Sequence, residues 1–187
     1  MTALKCGITH TIYQAVFVMR AVASHSFESS AIPEKRATGG REALFAFGVT
    51  VWLGILIGVS FMATPIKFSA PSLNLPTALD VGRVTFALLS KTEWVLCAIL
   101  VIVTALEWRS RPLRLACCLA LALLVAGQSS WLLPALDARI DLIIQGGVPA
   151  PATYHQIYIV CEVAKAVLLL WLSSVSLWRM ASYRGAP

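Results

Sequence analysis

The sequence predicts an all-α integral membrane protein folded as a four-transmembrane-helix bundle. Of its 187 residues, 58% are hydrophobic and only 13% are charged, and the mean hydropathy is +0.79. A soluble domain is usually about half apolar and about a quarter charged. The extra apolar surface therefore requires a lipid bilayer to cover it, and four apolar runs of membrane-crossing length supply the helices.

The net charge of +6 raises the question of nucleic acid binding. The sequence has no basic patch interleaved with aromatic residues and no nucleic-acid-binding motif. In membrane proteins, an excess of lysine and arginine marks the cytoplasmic ends of the spans. We therefore expect the lipid bilayer, and no nucleic acid, as partner.

Residues 1–43 are predicted to form a flexible N-terminal cytoplasmic tail. The apolar run at 8–23 is interrupted by polar side chains, including Gln14 and Arg20, and residues 27–41 are rich in Ser, Pro and Gly. A short surface helix within this tail and an over-extended start site are both left open as alternatives.

The first predicted span is 44–63, which contains no charged residue and is long enough to cross a hydrocarbon core of about 30 Å. Gly54 and Gly58 form a G-x-x-x-G pair, which allows two helix backbones to approach closely. The pair favours packing inside the bundle, with a homodimer through this face as the alternative. Pro65 is expected to end the helix.

The second predicted span, 85–106, carries Lys91 and Glu93 well inside its ends. Just before it, Asp80 and Arg83 are three residues apart, a spacing at which side chains on a helix can pair. The two charges within the span are the feature that requires explanation, because a charge at the bilayer centre costs at least about 2.5–3.5 kcal/mol.

The third and fourth predicted spans are 113–133 and 155–178, with a short C-terminal tail at 179–187. Pro134 is expected to stop the third span. Residues 134–147 place apolar side chains at helical spacing with charged ones off that face, which predicts a separate amphipathic helix on the membrane surface. Gly146 and Gly147 are expected to end this helix.

Basic residues outside the spans indicate the orientation. Ten lie in the tails and the second connection, and three lie in the first and third connections; the ten are Lys5, Arg20, Lys35, Arg36, Arg41, Arg109, Arg111, Arg114, Arg179 and Arg184. By the positive-inside rule, both termini are cytoplasmic, and a bacterial inner membrane is the expected location.

This orientation places the intramembrane charges at similar depths. Glu93 and Lys165 both fall near mid-membrane, and Glu162 lies three residues before Lys165 on the same helix face. Gln128 approaches this layer from the third span. Lys91 either completes a neutral set of two acids and two bases or extends outward to the surface.

A buried polar layer of this kind has two interpretations. The ion pairs can simply hold the helices in register, or they can line a polar cavity or a path for protons or ions; contact with a partner helix is a third use. We expect a transport or membrane-partner role without enzymatic activity, cofactor or metal.

The alternative is a membrane-embedded enzyme or a metal- or cofactor-binding subunit. The sequence contains no H-E-x-x-H or G-x-S-x-G motif, and its five cysteines form no C-x-x-C pair. His155, at the outer start of the last span, is the candidate interface site for a metal or a proton.

Several short motifs carry a resemblance to a known family. The glycine-rich first span closes in P-I-K-F at 65–68, the third span ends in W-L-L-P at 131–134, and Tyr154-His155 opens the last span. Over about residues 44–178 the chain resembles the family with domain of unknown function 4149, the transmembrane-protein-205-like proteins. That resemblance implies a four-helix membrane fold and no established reaction. The copper-resistance D membrane domain is a looser second resemblance, and the methionine- or histidine-rich copper pattern is missing from this sequence.

Overall fold

A computed structural model describes residues 39–107 and 109–184, with only the backbone of residues 183 and 184. The chain divides into two compact units, Met1–Arg41 and Glu42–Pro187, and the second unit contains the bundle. The predicted tail lies outside the described residues except for its last five, which begin the first helix. Cys6 also lies outside them.

Four long helices make up the described chain: α1 Gly39–Lys67, α2 Leu75–Ala105, α3 Pro112–Ile144 and α4 Tyr154–Arg184. Each is long and apolar enough to cross a membrane. The predicted four-helix membrane fold is thus confirmed. The helices run alternately up and down. We call the end where α1 and α3 begin and α2 and α4 end the arginine end, and the other the opposite end.

Lipid must cover most of the apolar surface of these helices. Only 28–33% of the most apolar window of each helix is buried inside the bundle. Large side chains such as Leu88, Leu123 and Val160 are exposed along the helix faces. In water, this exposed area would cost free energy in proportion to its size, whereas in a bilayer it lies in hydrocarbon.

The expected stops at Pro65 and Pro134 are wrong, because the helix continues through both prolines. In each case the preceding turns widen into a π-helix, Ile57–Ala63 before Pro65 and Gln128–Leu132 before Pro134. A proline inside an α-helix lacks the N–H donor and its ring clashes with the carbonyl four residues earlier. In the wider turn, the N–H of the residue before the proline donates to the carbonyl five residues back. The helix therefore continues past the proline.

The surface helix predicted at 134–147 is instead the last part of α3. At about 1.5 Å per residue, α3 spans roughly 50 Å, well beyond a core of about 30 Å. Its final turns pack beside the start of α2, where Arg83 bridges Asp80 and Asp141 at 2.5 Å each. The Asp80–Arg83 pairing is therefore confirmed, and it also joins two helices.

Glycine ends α3 as predicted. Gly146 adopts a left-handed conformation with φ of 81°. The N–H of Gly147 donates to the carbonyl of Leu142 at 2.8 Å, and that of Gly146 donates to Ile143 at 3.0 Å. This pair of bonds is the Schellman arrangement, which satisfies carbonyls that the last helical turn leaves unpaired.

The apolar core lies in the half of the bundle nearer the arginine end. Its eleven buried residues come from all four helices: Phe45, Val49, Trp52, Leu56, Cys97, Leu100, Cys118, Leu121, Val125, Leu169 and Leu172. At Gly48, an added Cβ would lie 3.1 Å from Leu100 Cδ2, so this glycine permits α1 and α2 to approach closely. Gly54 and Gly58 meet nothing within 4 Å, and the homodimer through them stays a prediction.

Gly48 and Gly54 provide a matched pair of substitutions. Gly48→Val forces α1 away from α2, and we expect a loss of about 1–3 kcal/mol in the free energy of unfolding, the usual cost of overpacking. Gly54→Val should leave monomer stability nearly unchanged. Thermal unfolding in detergent measures both, and equal losses would contradict the assigned packing. A dimer-to-monomer shift on Gly54→Val alone, seen by light scattering, would support the homodimer.

Candidate functional site

The candidate site is centred on Lys165, whose side chain is 0% exposed. It lies eleven residues after the start of α4, roughly 16 Å along the helix and near its middle. Its ammonium nitrogen lies 2.6 and 2.8 Å from the two carboxylate oxygens of Glu93 on α2 and 2.7 Å from Glu162 Oε1, one turn earlier on α4. We call these three residues the Lys165 triad.

Both carboxylates of the triad accept further hydrogen bonds. Trp52 on α1 donates its indole N–H to Glu93 Oε1 at 3.1 Å. Gln128 on α3 donates to Glu162 Oε1 at 2.9 Å, and Ser60 on α1 donates to Glu162 Oε2 at 2.8 Å. Each of the four helices thus contributes at least one side chain to the triad or to its hydrogen-bond donors. Buried charges in a low-dielectric interior are costly unless they are paired and hydrogen-bonded.

The structure brings together four of the five residues predicted for the polar layer: Glu93, Gln128, Glu162 and Lys165. Lys91 is exposed and lies outside this group. Two residues along a helix rotate the side chain by about 200°, so Lys91 and Glu93 face nearly opposite directions. Of the two alternatives for Lys91, the structure therefore shows the outward one, and the buried set lacks the second base. With all three groups ionised, the triad carries one excess negative charge.

The two π-helical turns place two of the hydrogen-bond donors of Glu162. Ser60 lies in the π-helix that precedes Pro65, and Gln128 begins the π-helix that precedes Pro134. Such widened turns rotate the following side chains relative to a regular α-helix and occur frequently at functional sites. The amide oxygen of Gln128 is buried and has no hydrogen-bond donor among the described residues. One acceptor next to Glu162 is therefore still available.

The predicted interface site at His155 lies apart from the triad. His155 is exposed at the start of α4, more than one turn from Glu162. Among the described residues, no group of three or more His, Cys, Asp or Glu side chains lies close enough to hold a metal ion. The four described cysteines are free thiols, at positions 97, 117, 118 and 161.

A second ionic cluster, at the arginine end, was missed from the sequence. Arg114, at the start of α3, lies 2.9 Å from Glu42 Oε2 on α1 and 3.9 Å from Glu107 Oε2. Arg111 also pairs with Glu42, and its Nε lies 3.3 Å from Glu107. From the sequence, the arginines indicate only the orientation, and Glu42 falls in the predicted tail. The available clue was Glu42 just before an apolar run, at the depth of an arginine-rich connection.

The apolar core separates the two ionic clusters. Arg114 and Gln128 are fourteen residues apart on α3, which is roughly 21 Å along the helix. Between the levels of Arg114 and Gln128, a hydrogen bond of 2.8 Å between the hydroxyls of Thr50 and Ser173 joins α1 to α4. The Lys165 triad is therefore closed off from the arginine end by packed side chains.

No protein-family model matches the chain, and neither a curated protein nor a solved structure gives a significant match. The resemblance to the transmembrane-protein-205-like family stays a prediction, and the site is interpreted from its own geometry.

Lys165→Met should be the most damaging single change in the triad. It leaves two carboxylates facing each other without a cation, and removal of one partner from a buried ion pair costs about 3–5 kcal/mol. Glu93→Gln should cost less, since Glu162 still pairs with Lys165. The double variant should recover part of the stability lost in Lys165→Met.

Unfolding in detergent measures these variants, with Lys91→Met as the control. Lys91 is exposed, so its replacement should change stability by less than about 0.5 kcal/mol. If the effects of Lys165→Met and Glu93→Gln are additive, the two residues are not energetic partners.

Pro134→Ala tests whether the π-helical turn positions Gln128. Alanine restores the N–H donor and favours a regular α-helix, which would rotate Gln128 away from Glu162. In the otherwise unchanged protein, Gln128→Met should cost about 1–3 kcal/mol, because a hydrogen bond to a charged group is lost. In the Pro134→Ala background, the same change should cost clearly less. Full additivity of the two changes would show that the turn does not position Gln128.

Proposed function

We propose that this protein is a small proton or monovalent-cation transporter of a bacterial inner membrane, with both termini cytoplasmic and Glu162 as the group that binds the transported ion. The observation that carries this proposal is the composition of the buried Lys165 triad, in which two carboxyl groups share one ammonium group. With all three groups ionised, the triad has one excess negative charge. Uptake of one proton or one monovalent cation makes the triad neutral.

A purely structural role does not require the second carboxylate. Glu93 alone already contacts Lys165 through both of its oxygens, which is a complete ion pair. An additional buried negative charge adds a desolvation cost that a stable bundle would avoid. Intramembrane ionisable residues that face a bundle interior are associated with substrate and ion paths.

The environments of the two carboxylates favour Glu162 over Glu93 as the exchanging group. Glu93 is held by both contacts with Lys165 and by Trp52, which is fully buried. Glu162 shares only Oε1 with Lys165, whereas Oε2 accepts from Ser60, a half-buried residue. The free amide oxygen of Gln128 supplies a further acceptor for a proton or cation.

Glu162 lies eight residues after the start of α4, so the transported ion would reach it more directly from the opposite end. Tyr158, buried one turn nearer that end than Glu162, packs edge-on against Phe86 with ring centroids 5.2 Å apart. Toward the arginine end, the apolar core blocks the route. This arrangement corresponds to one closed state of a transporter. The π-helical turns of α1 and α3 are the segments where these two helices can bend.

Glu162→Gln should abolish ion uptake while the protein still folds. The amide retains hydrogen-bonding capacity but cannot bind and release a proton at this position, and the triad becomes neutral. Proteoliposomes that contain a pH-sensitive dye, with a membrane potential imposed by potassium and valinomycin, measure proton entry. Repeating the assay with a sodium gradient tests the monovalent cation.

Glu93→Gln is the matched control, since it removes the same charge from the other carboxylate. It should retain measurable uptake even though its stability changes. If both variants and the wild type equal protein-free liposomes for protons and for sodium, the transport proposal fails. A Soret band or stoichiometric metal in the purified protein would favour the cofactor-binding alternative instead.

A further inference from the structure

A cavity of about 170 Å³ lies at the arginine end, between the start of α3 and the end of α4. Its polar lining comes from Ser110, Arg111, Arg114, Ser176 and Arg179. This volume is below the roughly 300–1,000 Å³ of pockets for drug-sized ligands. It suits a small charged group rather than a large molecule. The cavity is distant from the Lys165 triad and does not depend on the proposed transport function.

Arg114 has unused hydrogen-bond donors although its side chain is only 9% exposed. Its Nη1 contacts Glu42 and Glu107, and its guanidinium carbon lies 3.3 Å from the centre of the Phe45 ring. Its Nε and Nη2 are buried and have no acceptor among the described residues. These two nitrogens form one edge of the guanidinium plane, the fork that binds carboxylate or phosphate oxygens in a bidentate manner. Any oxygen acceptor would satisfy these donors, and a carboxylate or phosphate would pair with both at once.

Two further features make the cavity attractive to anions. Arg179 is exposed and makes no ion pair with the described residues. With Arg111 and Arg114 it outweighs the two carboxylates of Glu42 and Glu107 by one positive charge. No side chain caps the start of α3, and the positive end of its dipole is near the cavity.

The apolar part of the lining indicates the source of the anion. Leu113 and Trp171 both line the cavity, and they are 64% and 43% exposed on the outer surface of the bundle, where lipid lies. We propose that the cavity binds the phosphate of an anionic phospholipid, with its acyl chains against Leu113 and Trp171. A free phosphate ion shares the charged contacts but gains nothing from these two side chains.

The test compares ligands with the full chain in neutral detergent. Thermal unfolding is followed while dioleoyl phosphatidylglycerol, dioleoyl phosphatidylcholine or inorganic phosphate is added, and native mass spectrometry counts bound lipid. We expect phosphatidylglycerol to raise the melting temperature and to be retained, with little effect of phosphatidylcholine or phosphate. If phosphate alone gives the same shift, the lipid assignment is overturned. If no ligand produces a shift or is retained, the site itself is overturned.

Arg179→Gln tests the site without disturbing the buried ion pairs. It should leave the melting temperature without lipid unchanged and weaken phosphatidylglycerol binding about tenfold, as expected for one charge-assisted hydrogen bond. Arg114→Lys keeps the pairing with Glu42 but removes the fork, and it should weaken binding further. Lys91→Gln, which removes an equal charge elsewhere, is the control. Equal binding by Arg179→Gln and Lys91→Gln overturns the proposal, even if Arg114→Lys does not fold.

Discussion

The bundle depends on pairing one ammonium group in the middle of the membrane. Lys165 is fully buried, and a lone charge at that depth would be too costly to keep. Its two carboxylate partners come from α2 and from one turn earlier on α4, and they in turn require donors from α1 and α3. Meeting these demands fixes the rotation and the depth of all four helices. Dispersion contacts among apolar side chains in lipid would leave those two variables poorly defined, because lipid tails are as apolar as leucine.

The prolines of α1 and α3 are part of the same arrangement. Each follows a π-helical turn, and each turn contributes one donor to Glu162, Ser60 from α1 and Gln128 from α3. The helix loses a backbone hydrogen bond at each proline but gains a side chain aimed at the buried carboxylate. The widened turns keep backbone groups paired within the helix, through bonds to the carbonyl five residues back, as a helix at membrane depth requires.

Along its axis, the bundle has an ionic cluster at the arginine end, then the apolar core, and then the Lys165 triad near the middle. The cluster at the arginine end ties the start of α1 to the start of α3 through Glu42 and Arg114. The Lys165 triad ties all four helices near their middle. Between them, Trp52 belongs to the apolar core and also donates to Glu93, so packing and pairing are linked.

The sequence by itself determined the membrane class, the number of spans and the candidates for burial. These follow from run length, hydropathy and the high cost of an unpaired intramembrane charge, all of which are local properties. It also indicated the Asp80–Arg83 pair and the glycine end of α3, which depend on residues close in the chain. Glu93 and Lys165 lie at similar distances from the starts of their predicted spans. Because both helices begin at the same end, this similarity predicted that the two side chains lie at matching depth.

Only the tertiary structure decided the rotation of each helix and hence which charges meet. Lys91 and Glu93 are two residues apart, and one faces outward while the other faces Lys165. Hydropathy could not separate them, since both interrupt the same apolar run. The continuation of α1 and α3 through proline, the role of Gly48 instead of Gly54, and the Glu42–Arg114 pair depend equally on neighbouring helices. These features are set by contacts between residues far apart in the chain, and a local sequence pattern does not encode such contacts.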